Sequence, residues 1–373
     1  MNQEYINNPG QQMFILVAPL DWGLGHATRC IPIIHSLQKY RATVIVAAEG
    51  PIAVLLKTEF PDIEIIPLTG YRVVYARKGK TFLWKLATQL PKIQRAINQE
   101  YKWLDTLIRT RHLHGVISDN RLGFYSSKIP CIYMTHQLYI ETGVSWLNRY
   151  VQNLHYKHIN RFSECWVPDA KKQPSLAGKL SHPTFYPAVK TQYLGLLSRF
   201  KLQEKTHHYD LLIVLSGPEP QRTLFEELLL QQLEDQQWST IFVRGLPGEE
   251  IPAFNLPHVT FYNHLSATDL CTAMLESAMV VARAGYSTIM DLAALRKKAI
   301  LVPTPGQGEQ AYLGEYLHDN KIFYTATQQN FNLNDALDKA NSFDFQLSGF
   351  PLNGHDDIVS TWLQSLRRPT ASQ

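Results

Sequence analysis

Residues 280–317 read VVARAGYSTIMDLAALRKKAILVPTPGQGEQAYLGEYL. Two short apolar runs, MVVARAG (279–285) and AILVPTP (299–305), flank TIMDLAALRK (288–297), which reads as a helix. A strand ending in a small-residue turn, a helix beginning near Ser287 and Thr288, and a second strand make the repeating unit of a parallel sheet. The second strand delivers a loop with Gln307, Glu309 and Gln310, so the two loops present amides, hydroxyls and a carboxylate toward one place. Asp291, one turn into the helix, could accept bonds from the two vicinal hydroxyls of a ribose. It could equally serve only the helix dipole.

The same alternation extends in both directions. Upstream of a polar connector, SRFKLQEKTHHYD, strands are predicted over 13–20, 42–48, 63–68, 115–119, 131–136, 164–169 and 191–197. From 211 a second series follows, with strands at 211–217, 239–245, 259–264, 279–285, 299–305 and 321–327 and a helix over 222–236. The reading is α/β, with a first domain over 1–200, a linker over 201–208 and a second domain over 209–350. Residues 351–373 supply a final helix, GHDDIVSTWLQSL (354–366), and a tail. Such sheets bind ligands beyond the carboxyl ends of their strands, and the cleft between two such domains is the expected site.

A chain of 373 residues with 45% hydrophobic and 18% charged residues is globular rather than disordered or fibrous. No basic segment followed by an apolar one opens it, and no apolar stretch approaches the roughly 18 residues of a membrane span, so a cytoplasmic location is expected. Cys30, Cys131, Cys165 and Cys271 lie far apart and read as buried thiols. The net charge of +4 hides an asymmetry: ten lysines or arginines between Arg72 and His112 face Glu100 and Asp105, an excess of +8, and the remainder nets −4.

On a helical wheel Leu83, Leu86, Leu90, Ile93, Ile97, Leu104 and Leu107 share one arc, and Lys85, Lys92, Arg95, Lys102 and Arg109 the other. Pro91 is expected to divide this stretch into two shorter helices. The basic face is either a solvated surface or a peripheral contact with anionic lipid. Nucleic acid is disfavoured, because no aromatic stacking motif accompanies the charge.

Two further loops could carry chemistry. APLDWGLGHATRC (18–30) places Gly23, Gly25 and His26 between a strand and a helix, where glycines admit a ligand to the backbone and helix-start amides favour anions. The spacing is that of neither a dinucleotide fingerprint nor a Walker loop. A plain tight turn with His26 as a capping residue would also account for it. In VLSGPEPQRTLFEE (214–227), Ser216 and Gly217 can meet a phosphate and Arg222 can supply positive charge.

Together these segments resemble glycosyltransferase family 28 of the GT-B fold, two Rossmann-like domains facing across a cleft, and most of all its peptidoglycan-precursor N-acetylglucosaminyltransferases. RAGYSTIMDLAAL, ILVPTPG and EQAYLGEYL carry the likeness, with the glycine-histidine loop in support. The resemblance implies a donor half for a nucleotide sugar, usually of uridine. It makes Asp291 the ribose ligand, where the peptidoglycan enzymes have glutamate. Arg283, Gly285, Ser287 and Thr288 match the turn near the diphosphate, and Glu309 and Gln310, beside Gln307, match the donor-sugar contact. Ser216 and Gly217 match the phosphate-facing turn, Arg199 the base-side arginine, and YNHLSATDL with His264 the nucleobase loop. Gly23, Gly25 and Arg29 fall in the diphosphate or acceptor loop.

SDNRLGFYSS and MTHQLYIETG match the peptidoglycan enzymes poorly, which points to a different lipid-linked or glycan acceptor. Glycosyl transfer needs a base for the attacking hydroxyl and stabilisation of the leaving diphosphate. His26 is the first candidate for the base, with Asp119 and His136 as alternatives or orienting partners. No D-x-D is present, so no metal or other cofactor is expected. Inversion follows from the resemblance alone, as does the return of the last helix to the first domain. A non-hydrolysing sugar-nucleotide epimerase, which needs no acceptor, and a silent nucleotide-sugar-binding protein, indifferent to loss of His26, are the rival readings.

Overall fold

The structure, a computed structural model, describes residues 12–68, 82–141, 145–247, 249–352 and 354–367, with the helix backbone alone at 82–91 and 145–146. The chain divides into two compact units. One comprises the chain up to Lys171, Lys179–Leu197 and the C-terminal helix; the other comprises Lys172–Gly178 and Ser198–Leu352.

The first unit is built on β1 (Met13–Pro19), β2 (Ala42–Ala47), β3 (Glu64–Ile66), β4 (Gly115–Asp119), β5 (Cys131–Met134), β6 (Glu164–Val167) and β7 (Lys190–Tyr193). Between them run α1 (Leu24–Lys39), α2 (Gly50–Glu59), α3 (Phe82–Arg111) and α4 (Ser145–Ile159). The seven strands are parallel in the order β3-β2-β1-β4-β5-β6-β7. β4 is buried along its whole length, as a strand covered on both faces of a parallel sheet is, and its last two residues, Ser118 and Asp119, are buried polar groups. Leu16, Val116, Tyr133 and Val167 pack with Leu104 and Leu107 of α3 in one core.

The second unit contains β8 (Tyr209–Val214), α5 (Gln221–Leu233), β9 (Thr240–Val243), β10 (Val259–Tyr262), α6 (Ala267–Glu276), β11 (Ser277–Ala282), α7 (Tyr286–Ala294), β12 (Ala299–Leu301), α8 (Gly308–Asp319), β13 (Tyr324–Thr325) and α9 (Leu333–Asn341). Its six parallel strands run β10-β9-β8-β11-β12-β13. In both sheets the chain builds outward from one strand and then crosses to its other side. The reversal falls between β1 and β4 in the first unit and between β8 and β11 in the second. At such a point the loops leave in opposite directions and open a crevice at the carboxyl ends.

Several expectations need correction. The helix over Phe82–Arg111 continues through Pro91 as one element of 30 residues, because a proline removes one amide donor while the neighbouring bonds persist. β7 stops at Tyr193, after which Leu194 bonds to Val167 and Gly195 (φ 75°) to Asp169 as the chain turns away. β13 is two residues long, because the amides of Ile322 and Phe323 both bond to the Leu317 carbonyl and close the end of α8. Cys271 is half-buried, unlike Cys30, Cys131 and Cys165.

The basic segment over 72–81 and the side chains of Leu83, Lys85, Leu86 and Leu90 lie outside the described residues. In the rest of α3, Ile97, Leu104 and Leu107 are buried, while Lys92, Arg95, Lys102 and Arg109 are exposed. No helix among the described residues is long and apolar enough to cross a membrane.

The last helix, α10 (Gly354–Arg367), packs on α1 and β7 of the first unit. Asp356 near its start accepts bonds from Ser36 and Lys39, and Trp362 meets Trp166 edge-on at 5.6 Å. Gly115 makes room for this contact, since a Cβ there would stand 2.7 Å from the Trp362 ring. Gly115→Ala should therefore cost about 1–3 kcal/mol through overpacking, measurable by urea denaturation. An unchanged midpoint would mean that α10 is loosely held.

Candidate functional site

Each unit brings its candidate residues to its own switch point. In the first, Pro19 ends β1 directly opposite Asp119, which ends β4. Gly23 then turns the chain into α1 with φ 101°, a conformation that a side chain would strain. The helix starts at Leu24, so His26 lies in its first turn rather than in the preceding loop.

His26 Nδ1 stands 2.8 Å from Asp119 Oδ2. Asp119 is fully buried and also accepts Arg29 Nε at 2.9 and 3.0 Å, with Arg29 Nη2 on the same carboxylate. Arg29 Nη1 reaches His136 Nδ1 at 3.1 Å, and its Nη2 lies 2.9 Å from His26 Nδ1. His26, Asp119 and His136, 110 residues apart in sequence, thus form one cluster around a single guanidinium. With Nδ1 turned inward, Nε2 is the nitrogen left for an incoming hydroxyl. Burial pushes the His26 pKa down, Arg29 adds to this, and Asp119 opposes it. Burial works against ionisation of Asp119, but Arg29 and His26 outweigh it and hold the carboxyl below its ordinary range.

Arg29 is the first correction at the site. The sequence sets it in a diphosphate or acceptor loop, whereas it is 3% exposed and directed onto Asp119, because a buried carboxylate needs a compensating charge. Gly23 and Gly25 remain at the helix start.

In the second unit the loops after β8, β11 and β12 stand on adjacent strands. Ser216 and Gly217 follow β8 and are exposed; Gly217 has φ 104°. Gly285 is the N-cap of α7, with Ser287 and Thr288 in its first turn. Asp291 is 8% exposed and accepts a 2.6 Å bond from Ser198 Oγ. Burial raises its pKa to about 6, against the opposing influence of Arg199 and Ser198. Two nitrogens of Arg199, Nε and Nη1, are buried without an acceptor among the described residues. His264 is exposed just before α6.

Three expected donor contacts are otherwise engaged. Arg222 is buried and bonds to Glu219 and Glu226; Glu226 in turn holds Arg244. Arg283 is 1% exposed, lies 4.3 Å from the Phe225 ring centroid and donates to the carbonyls of Gln221 and Val302. Burial brings its pKa down to about 10. Gln310 accepts the Thr304 amide at 2.9 Å and donates to Gln307 at 2.7 Å, so it shapes the loop at the start of α8, where Glu309 sits in the first turn. An arginine that directly follows a buried strand signals none of this, since stacking on Phe225 joins residues far apart in sequence. Ser198 and Arg244 carry no local signal for the same reason, whereas Glu226 stands four residues from Arg222 on one helix, a spacing that could have revealed the pair.

These arrangements define the class. The chain has the fold of the GT-B glycosyltransferases: it is similar to a glycosyltransferase of kitacinnamycin (12% identity, TM-score 0.62, 96% of each chain covered). It is also similar to Acinetobacter baumannii MurG (14% identity, TM-score 0.55, covering 94% of this chain and 100% of that one). More particularly, residues 250–347 match the glycosyltransferase family 28 C-terminal domain. A stretch of 82 residues is 35% identical to the UDP-N-acetylglucosamine--N-acetylmuramyl-(pentapeptide) pyrophosphoryl-undecaprenol N-acetylglucosamine transferase of Leifsonia xyli subsp. xyli, and it spans 22% of either chain.

Proposed function

We propose that this protein transfers a hexose or N-acetylhexosamine from a nucleotide sugar, with UDP as the nucleotide, to a hydroxyl of a lipid-linked or glycan acceptor, inverting the anomeric centre. The observation that carries this reading is the family 28 match over 250–347, since the segment from Arg283 to Gln310 lies wholly inside it. Within that segment the first turn of α7 offers amides and the hydroxyls of Ser287 and Thr288 to a diphosphate. Asp291 offers a carboxylate to the ribose, and Glu309, in the first turn of α8, offers one to the donor sugar.

His26 takes the proton of the attacking hydroxyl on Nε2 while Asp119 stabilises the imidazolium through Nδ1. The acceptor oxygen forms its bond to the anomeric carbon as the bond to the diphosphate breaks, and the electron pair leaves on the diphosphate. Helix-start amides, rather than a metal ion, stabilise that charge in this proposal.

The test is calorimetric titration with UDP, and with GDP, ADP and TDP as comparators, of wild type and Asp291→Ala in EDTA. Selective UDP binding that the substitution removes supports the reading. No binding of any of the four would end it.

A lipid-linked acceptor suits a protein working at the inner face of the membrane, with the basic face of α3 against anionic lipid. Lys92, Arg95 and Lys102 are exposed on that face. Converting the three to glutamine should weaken association with phosphatidylserine vesicles by about 3 kcal/mol, at about 1 kcal/mol per residue, with the difference fading at high salt. Equal sedimentation of the two proteins at low salt would return the helix to a solvated surface.

A further inference from the structure

Arg29 does more in this geometry than neutralise Asp119. A guanidinium only donates hydrogen bonds, and an ionised carboxylate only accepts them. Both reach the same atom: Asp119 Oδ2 lies 2.8 Å and Arg29 Nη2 2.9 Å from His26 Nδ1. One ring nitrogen cannot satisfy both at once. With its proton on Nδ1, the neutral ring bonds to Asp119 and leaves Nε2 bare. With its proton on Nε2, the ring accepts from Arg29 and has no lone pair to offer outward. At His136, Arg29 Nη1 stands 3.1 Å from Nδ1, and a bond between them makes that nitrogen the acceptor.

We propose that Arg29 is a positioning residue for the His26 base: it anchors Asp119 and competes with it for His26 Nδ1, and so decides which ring nitrogen carries the proton. The proposal rests on the reading of His26 as the base. The charged and titratable groups facing His26 are Arg29 from its own helix, Asp119 from the end of β4 and His136 from the loop after β5. Arg29 disfavours the imidazolium and Asp119 favours it. A base that has just taken a proton on Nε2 must carry its other proton on Nδ1, toward Asp119. The neighbouring guanidinium then repels the doubly protonated ring and promotes return of the proton to solvent.

The experiment is NMR of the full chain carrying 13C- and 15N-labelled histidine, with the His26 signals assigned by their loss in His26→Gln. Wild-type His26 should titrate below the usual 6.5. In Arg29→Gln the midpoint should rise by about one unit or more, as expected when a neighbouring like charge is removed, and the nitrogen shifts should report the Nδ1–H tautomer. Arg29→Lys keeps the charge without the fork, and should return the midpoint toward wild type. A purely structural arginine would leave the midpoint and tautomer of the folded protein unmoved.

Wild-type titration at or above 6.5, or one common midpoint in wild type and Arg29→Gln, overturns the proposal. If Arg29→Gln does not fold, the wild-type midpoint decides, with Arg29→Lys as the comparison. Failure of the donor reading would show instead as absence of UDP binding in wild type, which leaves the histidine titration interpretable.

Discussion

Asp291→Asn should make the unliganded protein more stable at about pH 7.5 by roughly 3 kcal/mol, while weakening UDP binding about tenfold to a hundredfold through loss of a charged acceptor. The carboxyl is raised from an ordinary 3.8 to about 6. Between these values the folded protein holds a proton that the unfolded chain has released. The group's favourable contribution is therefore fully present below about pH 4 and is lost as pH rises through about 6. Asparagine never ionises, so it avoids that loss while keeping an oxygen for Ser198. Urea denaturation at about pH 4 and about pH 7.5 reads the effect, with the advantage of the variant confined to the higher pH. Equal stability at both would mean that the carboxylate is already compensated in the free protein. A buried acid that weakens its own fold is what a ligand-binding position is expected to look like.

His26→Ala is expected to lower transfer by about 10²- to 10⁴-fold, the range for loss of a general base, with UDP affinity unchanged because the residues proposed to hold the donor belong to the other unit. The pH profile of the wild type should support this from another direction. Burial and Arg29 depress the imidazole's pKa, and the neutral ring is the active form, so kcat/KM should fall on the acid side only below 6.5. Full turnover by the alanine variant, once the donor and acceptor are known, would transfer the base to another residue.

The two strand-helix series were legible because buried parallel strands are short apolar runs bounded by glycine and polar turns, and this signal is local. It located β4 to the residue and α10 to within one. The glycine-histidine loop and the run from Arg283 to Gln310 were legible for a related reason, since each lies within one strand-turn-helix unit. Pro91 misled because a single lost amide bond is a local penalty that a helix packed along one face can absorb.

The partners of the charged residues belong to a different level of organisation. An arginine in a sequence looks the same whether it faces a phosphate or a buried carboxylate. Arg29 meets Asp119 across the switch between β1 and β4, Arg244 reaches Glu226 of α5 from the end of β9, and Arg283 lies over Phe225, all through contacts between elements. Periodicity and turn chemistry are properties of neighbouring residues, so the order of strands and helices could be read along the chain. Burial and charge compensation depend largely on residues brought together from different elements, as His26 and Asp119 are from 93 positions apart, and these contacts exist only once the sheets have formed.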